Sequence, residues 1–472
     1  MLLFQVDRSE DKTLTQQVYE EIRWRILENV LKENEKIPSS RELAKTIGVS
    51  RNIVLEAYHQ LESEGYIHIK QRSGTFIASG TSISHLRKKD LQNTKQPAPT
   101  DNKCSSKKNI IDFKAGNPAM DHFPRKVWGK IVKEVCIDVP DSLFGYQDES
   151  GNEELKEELA SYLETTRGVV CVPDQIVITS GATQALSLIT KILVTEEKDS
   201  VIVEDPVTDE MRQIFLHNGA TIIPVDTDVQ GIIPSNIPQA KPSFVFVIPS
   251  HQFPLGGTLS IQRRIELINF AEKQNCYIVE DDYDSEFTYE GSPVRSMQGL
   301  APEKVIYVGT FSKILAPALR IGYVVLPHEL LSDFRKLKWY TDRHNSSLEQ
   351  IVLARFMKEG HFLKHIRNMK RIYQRRRTAL VNSLEKYFDH FTIIGENTGM
   401  HLVVEFPVIQ FDKKLLQQLY CEGIKVYPVE EYAINKGNHS NKLLLGYGSL
   451  REEEIEEGVS ILFNVISKCK HP

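Results

Sequence analysis

Apolar residues recur four apart between Leu14 and Leu31, at Val18, Ile22, Ile26 and Val30, and so predict an amphipathic helix. A second helix is predicted to open at Ser39 or Ser40, with Glu42 placed to complete a capping box. It turns Leu43, Ala44 and Ile47 inward and stops at Gly48. Ser50 opens a third helix with Val54, Ala57, Tyr58 and Leu61 on its inner face, ended by Gly65. The alternating runs YIHIK and GTFIA then flank a Gln-Arg-Ser-Gly turn, the pattern of a β-hairpin. From Ile111 the rhythm changes. QIVITS, SVIVED, TIIPV, SFVFVI, CYIVED and KVIYVG are near-continuous apolar runs, each followed by a helical stretch. Strands that alternate with helices predict an α/β unit, with a mostly parallel central sheet covered on both faces. Between these regions, residues 81–110 have no apolar period and are rich in Ser, Thr, Asn, Pro and Lys. The chain therefore divides into residues 1–80, a flexible basic linker at 81–110, and residues 111–472.

Helix, helix, short turn, helix and hairpin make a winged helix-turn-helix, whose second motif helix enters the DNA major groove by its N-terminal residues. Those residues are Ser50, Arg51 and Asn52, two hydrogen-bonding side chains and a guanidinium suited to phosphate or guanine. Arg41, Lys70 and Arg72 add cations around them. The partner expected is double-stranded operator DNA. Bulk charge does not help, because the formal net charge is −5; the DNA signal is local. Composition changes the picture only by exclusion. No run of eighteen apolar residues predicts a membrane span, and the polar start of the chain does not read as a signal peptide. Six scattered cysteines, without close pairs or ligand spacing, point to reduced thiols, no metal site and a cytoplasmic protein.

Three stretches of the large unit carry chemistry, each at a predicted strand end, where ligands of such sheets gather. ITSGATQALSLITKIL runs a strand into Gly181, Ala182 and Thr183 at a helix N-terminus, a ready anion site. CYIVEDDYDSEF places Asp281 where a carboxylate can pair with a protonated ring nitrogen, and Tyr283 where it can donate to a phenolate oxygen. KVIYVGTFSKILAPALR supplies the hydroxyls of Thr310 and Ser312, then Lys313, then Arg320. A lysine beside a bound aldehyde forms a Schiff base, and an arginine fork suits phosphate. Singly, these are an ordinary strand-to-helix turn, a solvated acid cluster and a surface lysine. Together they describe a site for pyridoxal 5'-phosphate.

SSRELAKTIGVSRNIVLEAYHQLESEGYI resembles the winged-helix domain of GntR-type regulators over about residues 13–79. From about Asp112 to Ile466 the three stretches, with FGYQDESGNEELKEELASYLETTRGV and PSHQFPLGGTLSIQRR, resemble the fold-type I aminotransferases. Their fusion is similar to MocR/GabR-type transcriptional regulators. The resemblance implies Lys313 as the Schiff-base lysine, Asp281 at the ring nitrogen and Tyr283 at O3′. It gives Ala182, Thr183, Ser312 and Arg320 to the phosphate. It puts Gln252 near the ring oxygen, and it has Tyr146 reach the phosphate of a neighbouring subunit, hence a homodimer, head-to-tail in relatives. Arg41, Ser50, Arg51, Asn52 and the wing around Arg72 would touch the operator. Two positions depart from the enzymes: Leu444 stands where the carboxylate-clamping arginine falls, and Val207 or Thr208 where an aromatic stacks on the cofactor. A third departs from the GABA-responding regulators, since Glu210 stands about where they carry a second carboxylate-binding arginine. The expectation is a regulator that senses pyridoxal phosphate or an amine or amino-acid effector without efficient turnover. The alternative is an active aminotransferase with an appended DNA-binding domain.

Overall fold

The structure is a computed structural model that describes residues 4–70, 73–81, 110–196, 199–291, 294–395 and 397–470. Arg72 and all but the ends of the expected linker lie outside the described residues. The chain forms two compact units, Met1–Cys104 and Ser105–Pro472.

In the first unit, helices Leu14–Leu27, Ser40–Ile47 and Arg51–Ser63 precede the hairpin Ile67–Lys70 and Gly74–Ile77. Lys36–Ile37 adds a third strand beside Phe76 and Thr75. The apolar stripes pack as their spacing requires: Val18, Ile22, Leu43, Val54, Ala57 and Leu61 are buried in one core. The first helix ends earlier than its stripe suggested, so Val30 is 55% exposed. Ser39 takes the cap of the second helix by a complete capping box with Glu42, and Gly48 closes it at φ +71°, a conformation that glycine adopts without penalty.

The second unit is built on an eight-stranded sheet in the order 176–179, 322–325, 305–310, 277–282, 244–247, 200–205, 221–228 and 231–232. Strand 277–282 runs parallel to both neighbours, whereas 322–325 is antiparallel to 305–310 and 176–179. Hydrophobic clusters cover both faces, one around Tyr307, Phe311 and Phe356, the other around Leu186, Phe246 and Phe334. A four-stranded sheet of 392–394, 401–405, 442–446 and 427–428 packs with the long helix His361–Tyr387 and the C-terminal helix Glu452–Lys470 in a further core. The expectation of reduced thiols holds for Cys136, Cys171 and Cys276 and fails for Cys421, which is disulfide-bonded. Wide spacing along the chain does not bar two cysteines from meeting in the folded protein.

The sheet positions the site by its directions. The parallel strands 176–179, 277–282 and 305–310 end at one edge, and the antiparallel 322–325 begins there. Ser180–Ala182, Asp281–Tyr283, Thr310–Lys313 and Arg320 therefore share that edge. Close backbone packing makes this possible: a side chain on Gly322 would lie 2.7 Å from Gly181 Cα and 3.0 Å from the Gly309 carbonyl.

Candidate cofactor and DNA-binding sites

The run Glu280–Glu286 holds five carboxylates, and their partners separate structure from chemistry. Glu280 accepts from Ser296 Oγ at 2.6 Å and from the Gln298 backbone at 3.0 Å. Asp282 pairs with Arg167 at 2.8 Å and accepts from Tyr307 at 2.6 Å. Asp284 faces His251 Nδ1 at 3.0 Å, and Glu286 accepts from Tyr162 at 2.8 Å. Asp281 differs. It is 2% exposed, and its Oδ1 is buried with no hydrogen-bond partner. Burial first, and Asp282 next, push its carboxyl up to about 7, against the pull of Lys313. A buried carboxylate oxygen left unsatisfied costs free energy that a bound N–H donor recovers.

Lys313 lies in the same electrostatic neighbourhood. Burial lowers the pKa of its amine, while Glu210, Asp284 and Asp281 oppose that shift and Lys114 adds to it. A lowered amine pKa raises the fraction of the free base that attacks an aldehyde. Gly116, at φ +76°, leaves the space beside it: a Cβ there would sit 2.9 Å from Lys313 Nζ.

The anion cup is also present. Gly181, at φ +88°, caps helix Ala182–Leu193 with no side-chain hydrogen bond, so the first backbone N–H groups, Ala182 and Thr183 among them, remain for a ligand. Arg320, itself at φ +50°, donates to the Ser180 carbonyl at 2.6 Å, with its guanidinium within 3.5 Å of a Cβ built on Gly181. Thr310 Oγ1 and Ser312 Oγ are 3.1 Å apart. Asn345, which sequence reasoning missed, donates to Ser180 Oγ at 2.6 Å, and the buried Lys338 bonds Asn345 and Asp342. These residues brace the cup from the helix His328–Asp342 and the turn after it.

Other expected residues fall differently. Tyr283 Oη lies 3.1 Å from both His251 Nδ1 and the His251 carbonyl. The Gln252 amide donates to Pro206 O at 2.9 Å and Phe253 O at 2.8 Å and accepts from Leu255 N at 3.0 Å. It therefore holds its own turn, and the rings beside Tyr283 are His251, stacked with centroids 6.0 Å apart, and Phe253, edge-on at 6.3 Å. His251, also missed, stacks on His401 at 4.5 Å and keeps a buried, unpartnered Nε2. It sits inside the quoted PSHQF motif, so the signal was one residue away. Tyr146 is 78% exposed, with Arg343 over its ring at 4.3 Å. Leu444 is fully buried with Leu255, Val403 and Val429 in a small apolar cluster against which Phe253 and Tyr432 pack. Thr208 caps the helix Asp209–His217 by accepting from Met211 N.

In the first unit Arg51 and Asn52 are exposed at the start of their helix, and Arg41 and Lys70 are exposed nearby. Ser50 is the N-cap residue of that helix, as expected, but its side chain makes no capping hydrogen bond, which leaves the hydroxyl available. Leu55, at 36%, also shows on the outer face.

Residues 14–77 match the model of the bacterial regulatory proteins of the gntR family, and residues 108–462 match that of aminotransferase class I and II. The chain is 32% identical to the probable rhizopine catabolism regulatory protein MocR of Rhizobium meliloti, covering 97% of this chain and 94% of the other. It belongs to the MocR-type regulators. The HTH-type pyridoxine biosynthesis transcriptional regulator PdxR of Corynebacterium glutamicum is 28% identical, over 96% of this chain and 97% of the other. The crystal structure of Pyrococcus horikoshii kynurenine aminotransferase covers 78% of this chain and 93% of its own, with TM-score 0.72 and 28% identity. A MocR-type regulator thus joins a GntR DNA-binding domain to an α/β domain of the pyridoxal phosphate aminotransferase fold. The unpartnered Asp281, the partly desolvated Lys313 and the open cup fit that cofactor.

Proposed function

We propose that this MocR-type regulator uses pyridoxal phosphate, held at Lys313, to sense the cofactor itself or an amine or amino-acid effector, and passes the result to its winged helix. When bound, the cofactor supplies a reactive aldehyde and a ring that withdraws electrons. The residues of the chain divide the remaining work. Lys313 would offer the amine that captures the aldehyde, and Asp281 would hold the ring nitrogen in its protonated form. Tyr283 would donate to the ring oxygen. Arg320 and the N–H groups after Gly181, with Thr310 and Ser312, would take the phosphate. Ser50, Arg51 and Asn52 contact operator bases and phosphates, supported by Arg41 and Lys70. The exposed Tyr146 fits a contact to a second subunit in a head-to-tail homodimer, and the proposed setting is the cytoplasm.

The observation that carries this reading is Asp281: alone in a run of five carboxylates, it keeps a buried oxygen without a partner. Leu444, in its apolar cluster, gives an amino-acid carboxylate no charge-assisted bond, a loss of roughly 1.5–3 kcal/mol against an arginine clamp. That favours a sensor over an efficient transaminase. Lys313→Ala tests it. The variant is expected to lose the absorbance band of the lysine–cofactor bond and the response in cells, and to keep basal operator binding. Normal regulation by the variant refutes the sensor. Repeated turnover when an amine and a keto acid are added to the wild type establishes the enzyme reading instead.

A further inference from the structure

The long helix His361–Tyr387 belongs to the aminotransferase-like unit, yet its sequence is unlike any ordinary exposed helix. Residues 361–384, HFLKHIRNMKRIYQRRRTALVNSL, contain seven lysines and arginines and no acid. Exposed helices usually balance such cations with acids one turn away. Lys364, Arg367 and Arg371 are exposed and spaced three and four apart, so they lie along one face. None of the three makes an ion pair among the described residues. The neighbouring acids are engaged elsewhere: Glu359 meets His361 at 3.2 Å, Asp121 meets His122 at 3.6 Å and Arg376 at 3.7 Å, and Glu452 meets Arg375 at 3.6 Å. Lys364, Arg367 and Arg371 also line one side of a groove whose other wall is His122, Pro124 and Val127.

We propose that Lys364, Arg367 and Arg371 form a second DNA-backbone surface, on the aminotransferase-like unit, that engages the duplex flanking the operator. Three cations spread over about 10 Å of helix face a length of duplex carrying about six phosphate charges. A chain of net charge −5 has no general attraction for DNA, so a local acid-free stripe is what electrostatic contact requires. The side chains are arginine and lysine without base-reading amides, which suits phosphate contact independent of sequence. The proposal needs the DNA-binding function and is independent of the cofactor.

The test compares the full-length protein on two probes, the footprinted operator alone and the same operator extended by several helical turns on each side. Each phosphate contact steepens the salt dependence of log K by about 0.9, so three contacts add about 2.7 on the long probe. Between about 50 and 200 mM salt, that is about a 40-fold change in the ratio of the two affinities. The triple variant Lys364→Gln, Arg367→Gln, Arg371→Gln is expected to bind the long probe with the slope of the short one and to leave short-probe binding unchanged. The variant Lys413→Gln, Lys414→Gln on another exposed helix is expected to change neither. Equal wild-type slopes on both probes overturn the proposal, as does a triple variant with the wild-type slope difference. If the triple variant changes oligomeric state by light scattering with the slope difference intact, the stripe is a subunit contact and the proposal fails. Lost regulation in cells with that difference intact assigns the stripe to an acidic protein surface and equally overturns it. Arg367→Gln alone, expected to lose about a third of the slope difference, covers the case of an unstable triple variant.

Discussion

Asp281→Asn separates a carboxylate built for a ligand from one built for the fold. Without cofactor, burial and Asp282 hold the Asp281 carboxyl at about 7, against an ordinary value of 3.8. The native state then binds this proton more tightly than the unfolded chain. The contribution to stability is fully present below about pH 4 and is lost as pH rises through about 7. The rise from 3.8 to about 7 corresponds to about 4 kcal/mol, of which about 2–3 kcal/mol falls between pH 5 and 7. Asparagine does not ionise and lacks this slope. Urea unfolding of cofactor-free protein from pH 5 to 8 is therefore expected to show the variant gaining about 2–3 kcal/mol on wild type. Cofactor should reverse the order. A protonated ring nitrogen gives the wild-type carboxylate its missing donor, and losing that charge-assisted bond weakens retention by about 1.5–3 kcal/mol, or about 10- to 150-fold. Parallel stability curves for the two apo-proteins would refute the reasoning, because the carboxyl would then be neither desolvated nor waiting for a partner.

Further substitutions probe the rest of the site. Arg320→Ala removes a guanidinium from the cup and is expected to weaken cofactor retention by about 1.5–3 kcal/mol, read as the dissociation constant from absorbance titration. Gly116→Ala puts a Cβ 2.9 Å from Lys313 Nζ at φ +76°; it is expected to cost about 1 kcal/mol in stability and to slow the appearance of the lysine–cofactor band in stopped-flow absorbance. Ser39→Ala breaks the capping box and is expected to destabilise the winged helix by about 1 kcal/mol, measured by hydrogen exchange in residues 40–47. Arg51→Ala is expected to weaken operator binding by about 1–3 kcal/mol, with cofactor absorbance unchanged.

The winged helix was legible because its signals are local. Caps at Ser39 and Ser50, stops at Gly48 and Gly65, and stripes four apart need no tertiary information. The parallel sheet was legible from its alternation of apolar runs and helices. Its order was not, since strand 322–325 enters antiparallel between 176–179 and 305–310 through contacts far apart along the chain. The same limit governed the site. Motif order pointed to Lys313, Asp281 and Arg320, but only packing shows that Asp282 and Asp284 belong to Arg167 and His251 while Asp281 is bare. The resemblance put Gln252 near the ring oxygen, whereas its amide is bonded to Pro206, Phe253 and Leu255. Gly116 and Asn345 had no signal, being distant loop residues that meet Lys313 and Ser180 only on folding.

Borohydride reduction of the purified protein mixed with pyridoxal phosphate, followed by peptide mass mapping, is the most direct measurement. The account predicts one phosphopyridoxyl group per chain, on the peptide containing Lys313, and none on the Lys313→Ala protein. A mixture that yields no fixed adduct, or one scattered over surface lysines with Lys313 unmodified, would contradict it.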